Sequence, residues 1–164
     1  MLYHLFICRH AQAQNPTFNQ PDFERQLTPQ GIKEAERAGD WLQQLAVKPN
    51  LVVCSKAQRT RSTASIIATT LAYNQNKIVA DVSLYNASEA QILNFIAQVN
   101  QEITTLVLVG HNPGVSGVVS TLSGTFQGNV PTGSVHHLSF ECAGWEAILV
   151  TTPIRYEAYL QAAY

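Results

Sequence analysis

The run TTLVLVG at residues 104–110 is the strongest constraint on how this chain folds. Leu106, Val107, Leu108 and Val109 follow one another without a polar break, so both faces of a strand built from them belong in a core. Strands of this kind sit in parallel sheets with helices on both sides, and the rest of the chain supplies the helices. Short apolar runs alternate with segments of helical periodicity, which predicts a three-layer α/β/α sandwich with a mostly parallel central sheet.

Leu2–Cys8 reads as the first strand and residues 11–27, rich in Gln, Asn and Pro, as a long loop. A loop of that length in a compact domain is more often functional than idle. Thr28 and Pro29 then open a helix as N-cap and first helical residue, with Ile32, Ala35, Gly39, Leu42 and Leu45 on its buried face. NLVVC (50–54) is the second strand, and Ser55 with Gln58 has capping-box spacing ahead of a helix carrying Ile66, Ile67 and Leu71. A short third strand falls near Lys77–Val82, and Ser88 with Gln91 repeats the capping box before Ile92, Phe95, Ile96 and Val99. HNPG (111–114) turns into a helix, with Asn112 as cap, Pro113 at its first position, and Val115, Val118, Val119 and Leu122 inward. SVHHLSFE and WEAILVTT read as two closing strands joined by a turn at Gly144, an edge hairpin.

At 164 residues and 46% hydrophobic, the chain is expected to form one domain, 1–164, without a large inserted cap. A net charge of −1 with 13% charged residues offers no field for a nucleic acid backbone or an anionic membrane. Phosphate recognition, if present, has to be local. Cys8, Cys54 and Cys142 lack CxxC spacing and read as free thiols of a reducing compartment. With no leader pattern and no long apolar run, a cytoplasmic protein is expected.

Three strand ends carry the chemistry. The first is followed by Arg9 and His10, the second by Ser55 and then Arg59, and the fourth by His111. The carboxyl ends of a parallel sheet share one edge, where ligands of open α/β sheets bind. Two arginines there would match and neutralise a phosphoryl dianion. Helix starts after Ser55 and His111 would add free N–H groups. A neutral histidine with one ring nitrogen held by a hydrogen bond would attack phosphorus with the other. No carboxylate cluster with metal-ligand spacing is present, so no metal and no cofactor is expected, and full activity in chelator follows.

The segments CRHAQA, RQLTPQG (25–31), SKAQRTRSTA (55–64), LYNAS (84–88) and GHNPGVS (110–116) resemble, in order and spacing, the histidine phosphatase superfamily, also called phosphoglycerate-mutase-like. Within it, the short chain, LYNAS and PTGS (131–134) look most like SixA-type phosphohistidine phosphatases. The resemblance implies that His10 is the nucleophile, that Arg9 and Arg59 hold the phosphoryl oxygens, and that His111 completes the pocket. Ser55 and Arg25 would join in substrate binding, although for Arg25 a surface ion pair with Asp22 or Glu24 serves equally well. It also implies a phosphorylated protein substrate, such as a histidine phosphotransfer domain. A broad small-molecule phosphomonoesterase is the alternative enzyme. A phosphate- or phosphoprotein-binding module without turnover is the reading from a different class.

Two departures from the family pattern stand out. Lys56 replaces the usual proline, and either tunes substrate choice or is a solvated lysine at a helix start. Larger members supply a carboxylic acid just after the third strand, where this chain has Ser83, so the proton donor is open between Glu89 and Asp81. Glu89 also suits the first turn of its helix for reasons of charge alone. His136 and His137 are adjacent on a strand and so face opposite sides, which rules out joint chelation. His4 reads as a packing histidine and Arg61 as solvated.

Overall fold

The structure, a computed structural model, describes residues 1–161. Its six strands are β1 (Leu2–Arg9), β2 (Leu51–Ser55), β3 (Val79–Asp81), β4 (Thr105–Gly110), β5 (Val135–Glu141) and β6 (Arg155–Tyr159). They form one sheet in the order β3-β2-β4-β1-β5-β6. β3, β2, β4 and β1 run parallel, while β5 and β6 are antiparallel to their neighbours.

Alternation along each strand separates two cores. Leu5 and Ile7 of β1 and Leu106 and Leu108 of β4 face one side, where they meet α3 (Glu89–Ala97) and α4 (Gly114–Ser123). Phe6, Cys8, Val107 and Val109 face the other side, against α1 (Pro29–Gln44) and α2 (Gln58–Thr70). The continuous apolar run of β4 is thus divided between both layers, and all of Leu106–Val109 are fully buried.

This wiring places the site. The chain leaves β1 toward α1 on one face and leaves the adjacent β4 toward α4 on the other, so a crevice opens at their carboxyl ends. Arg9 pairs with Gly110, and the His10 N–H donates to the Gly110 carbonyl at 3.0 Å. His10 and His111 therefore emerge side by side.

Several local expectations are corrected. Residues 145–150 form a 3-10 turn, not a strand, because Trp145 is drawn into the core, its indole N–H donating to the Ile103 carbonyl at 2.7 Å and its ring meeting Tyr3 edge-on. The partner of β5 is β6 instead, so the edge hairpin exists with a longer connection. Ser55 and Gln58 form no capping box: α2 starts at Gln58 with Ala57 before it and no side-chain cap, since the Ser55 hydroxyl is engaged elsewhere. On α1 the buried stripe is Gly31, Glu34, Ala35, Ala38, Gly39 and Leu42, leaving Ile32 43% exposed. Glu34 turns the helix inward by accepting from the Gln12 N–H (2.8 Å) and the Thr132 hydroxyl.

The other caps follow the sequence. Thr28 accepts from the Gly31 N–H, and Ser88 with Gln91 completes a capping box on α3. α4 begins at Gly114, one residue later than expected, after a cis Asn112–Pro113 bond. Asn112 still meets its first turn, accepting from the Ser116 N–H and hydroxyl. His136 and His137 face opposite sides, toward Tyr156 and Glu157 respectively, and His137 also bonds His4.

Candidate active site

Four of the expected residues converge at the β1–β4 crevice. His10 and His111 have ring centroids 5.4 Å apart. The Arg59 Nη2 is 3.3 Å from His111 Nδ1, and the fields of Arg59, Arg9 and Arg25 all reach His10.

Donor and acceptor chemistry assigns the tautomers. His10 Nδ1 lies 2.8 Å from the Ala11 carbonyl, which only accepts, so Nδ1 carries the proton and Nε2 presents a bare lone pair. Arg59 only donates, so His111 Nδ1 accepts and the His111 Nε2–H donates to Ser55 Oγ at 2.6 Å. Ser55 Oγ also meets Thr60 Oγ1 at 2.6 Å and accepts from the Ala57 N–H. Ser55 is fully buried and holds the His111 ring through the bond from Nε2.

Burial is the main force on both imidazoles. It pulls His10 down to about 4 against the opposing Ala11 hydrogen bond, with Arg59, Arg9 and Arg25 pushing the same way as burial. It pulls His111 down to about 3, assisted by Arg59 and His10 and opposed by Asp22. Both rings are neutral at physiological pH.

The arginines are fixed by backbone and loop. Arg9 Nη1 donates to the Val130 carbonyl, the same oxygen that accepts from Asn112 Nδ2. Arg59 is 3% exposed and donates through Nη1 to the Asp22 carbonyl (2.9 Å) and through Nη2 to Asp22 Oδ2 (3.1 Å). The Nε–H groups of Arg9 and Arg59 are buried and have no protein partner.

The 131–134 turn closes this side. Gly133 adopts φ +69°, and its N–H donates to the Arg9 and His10 carbonyls. A Cβ there would approach Glu34 Cβ to 2.7 Å, so the turn requires glycine on both counts.

Two residues not assigned a site role by sequence complete the rim. Asp22 lies in the 11–27 loop, at the start of a 3-10 turn, and accepts from Arg25 Nε (2.9 Å), Arg59 and the Tyr85 hydroxyl. These bonds, led by that from Tyr85, hold its carboxyl down at about 2. Tyr85 stands edge-on to His111. The clue was present: Asp22 lies three residues before Arg25, and Tyr85 is inside LYNAS, but neither spacing shows that they meet Arg59. Arg25 thus makes the ion pair with Asp22 and stands at the rim as well.

The two carboxylates offered as proton donors are engaged elsewhere. Glu89 accepts from Thr121 and packs on Gly117, down the flank of α4 and away from its N-terminus. Asp81 Oδ1 accepts from the Ser83 N–H at 2.8 Å. Lys56 and Arg61 are exposed and line a groove behind the Asp22–Glu24 turn. Among the described residues, no group of three or more His, Cys, Asp or Glu side chains is arranged to hold a metal ion. Among them too, no helix is long and apolar enough to cross a membrane.

The sheet presents paired histidines and arginines at its switch point, and residues 5–91 match the histidine phosphatase superfamily (branch 1). The chain belongs to that superfamily, and an uncharacterized protein of Mycobacterium tuberculosis is 35% identical over 71% of this chain and 72% of its own. The fold resembles a structure from Agrobacterium tumefaciens that carries the name phosphohistidine phosphatase SixA, with a TM-score of 0.80, 25% identity, and coverage of 96% of this chain and 98% of that one. It also resembles the protein histidine phosphatase SixA complexed with tungstate, with a TM-score of 0.77, 18% identity, and coverage of 93% and 95%.

Proposed function

We propose that this protein is a metal-independent phosphatase that works through a phosphohistidine intermediate on His10, with protein phosphohistidine as its substrate. The observation that carries the reading is the bare Nε2 of a neutral, buried His10, held by its Nδ1–H bond to Ala11 among Arg9, Arg25 and Arg59.

His10 Nε2 attacks phosphorus in line, and the P–Nε2 bond forms as the bond to the leaving group breaks. Arg9 and Arg59 supply the positive charge that holds the non-bridging oxygens. The entering phosphoryl charge offsets that of Arg59 and favours uptake of a solvent proton at His111 Nδ1, which gives up its bond from Arg59 and donates to the phosphoryl group. Water attacks the phosphohistidine, the electron pair returns to His10 Nε2, and phosphate leaves. Charge is compensated throughout by side chains of the chain itself.

The protein substrate is supported by the SixA-like fold and by the lack of a free carboxylic acid beside the described site, since a leaving imidazole needs less proton assistance than an alkoxide. A histidine phosphotransfer domain is the partner of that chemistry.

Incubation with labelled phosphodonor should place acid-labile label on His10, and His10→Ala should lose both label and turnover. Retained turnover in that variant overturns the mechanism, and absence of label in the native protein points to a binding module. Activity in chelator should equal that without it. Faster turnover of sugar phosphates than of phosphohistidine protein would make the enzyme a small-molecule phosphomonoesterase.

A further inference from the structure

A pocket built for a phosphoryl dianion gains nothing in affinity from a carboxylate, yet Asp22 places one against its clamp. Asp22 binds Arg59 twice, by carbonyl and by carboxylate, and its other carboxylate oxygen takes Arg25. We propose that Asp22 sets the leaving-group specificity of the site, favouring phosphoryl groups carried on a protonated ring nitrogen over phosphate esters. This rests on the phosphatase reading above.

Asp22 lies on the exposed side of the Arg59 clamp. His10 is 9% exposed and forms the floor, so in-line attack drives the leaving group toward the open side. That side carries the Asp22 side chain, 41% exposed, with Arg25 and Tyr85 beside it. The three side-chain donors occupy three of the roughly four acceptor positions of a carboxylate, which leaves one facing outward. Tyr85 spends its proton on Asp22 and has none to give a substrate.

Asp22 is therefore an acceptor and a fixed anion, never a proton source in the working range. An N-phosphoimidazole protonated on its second ring nitrogen offers that N–H to the free acceptor position. As His10 Nε2 bonds to phosphorus, the P–N electron pair returns to the ring, which departs neutral with the proton it already carries. No proton has to be delivered. A phosphate ester of an alcohol instead develops an alkoxide beside a carboxylate, and a substrate bearing its own carboxylate meets the same repulsion on binding.

Asp22→Asn tests this because it keeps the side-chain shape and one carbonyl acceptor while removing the charge, and orthovanadate binding reports the disturbance that its NH2 group, set against an arginine donor, brings to the clamp. N-phosphoimidazole and p-nitrophenyl phosphate should be compared for native protein and variant, with orthovanadate inhibition as a measure of the clamp. The ratio of kcat/KM on N-phosphoimidazole to that on p-nitrophenyl phosphate should fall about tenfold or more in the variant, beyond any change in orthovanadate binding. An equal fall on both substrates with weakened orthovanadate binding would make Asp22 only a brace for Arg59. A rise on both would make it a plug on the clamp, and no change on either would remove it from specificity; each of these overturns the proposal. Failure of the phosphatase reading shows separately, as absence of label on His10 in the native protein. Label on His10 with an unchanged substrate ratio in the variant overturns the Asp22 assignment alone.

Discussion

Ser55 Oγ lies 2.6 Å from His111 Nε2 and is itself braced by Thr60 and the Ala57 N–H. Replacing it with alanine leaves a buried imidazole N–H without a partner, a cost of about 1–3 kcal/mol. Ser55→Ala should lower kcat by about tenfold or more with a folded protein, and steady-state kinetics alongside circular dichroism checks both parts. His10 sets a second expectation. The nucleophile has to be neutral and its pKa is lowered to about 4, so kcat/KM should hold from neutrality down through pH 6 and fall only toward pH 4. An acid limb near the ordinary histidine value of 6.5 would show that burial does not control His10. At this scale His10, Arg9, Arg59 and His111 were legible because each follows or nearly follows an apolar strand. Ser55 was legible as a position and not as a role, since the direction of a hydroxyl is decided by what packs behind it.

α3 and α4 meet at a junction with little tolerance, where a Cβ on Gly114 would come within 2.1 Å of the Ala87 carbonyl oxygen. Glu89 in the first turn of α3 packs down the α4 flank, bonded to Thr121. Glu89→Gln should therefore leave kcat on an alkyl phosphate, whose leaving alkoxide needs a proton, within about twofold of native, whereas a general acid contributes about a hundredfold or more. Ser88→Ala removes the cap of the same helix and should cost about 1 kcal/mol of stability, read by urea denaturation, without a matching change in kcat. Elements with strong local signals, such as the capping box of α3 and the proline at the start of α1, were legible in the sequence. The segment 145–150 was not, because its apolar pattern fits a strand and only the pull of Trp145 toward Ile103 and Tyr3 takes it off the sheet edge.

The molecule as a whole shifts its histidines toward the neutral form, and four of the five are buried. His10 and His136 are lowered to about 4 and His111 to about 3, burial being the leading cause in each, and His4 and His137 are lowered for the same reason. The unfolded chain takes up these protons near pH 6.5, before the folded one does, so acidification from 6.5 toward 4 shifts the balance to the unfolded state. Asp22 adds to the loss at lower pH, since its folded value near 2 lies below the ordinary 3.8. Urea denaturation should show stability falling on the order of several kcal/mol across pH 6.5 to 4, and a flat profile would contradict the burial of neutral imidazoles. The sequence alone determined the layered α/β fold and the edge at which Arg9, His10, Arg59 and His111 gather, because apolar periodicity and strand-end polarity are local properties of the chain. Only the tertiary structure decided that Ser55 stands behind His111, that Glu89 serves α4, and that Asp22 meets Arg59 and Tyr85 from separate segments. Those contacts join residues from 32 to 63 positions apart, and such pairings are chosen by the packing of whole elements, which no local pattern encodes.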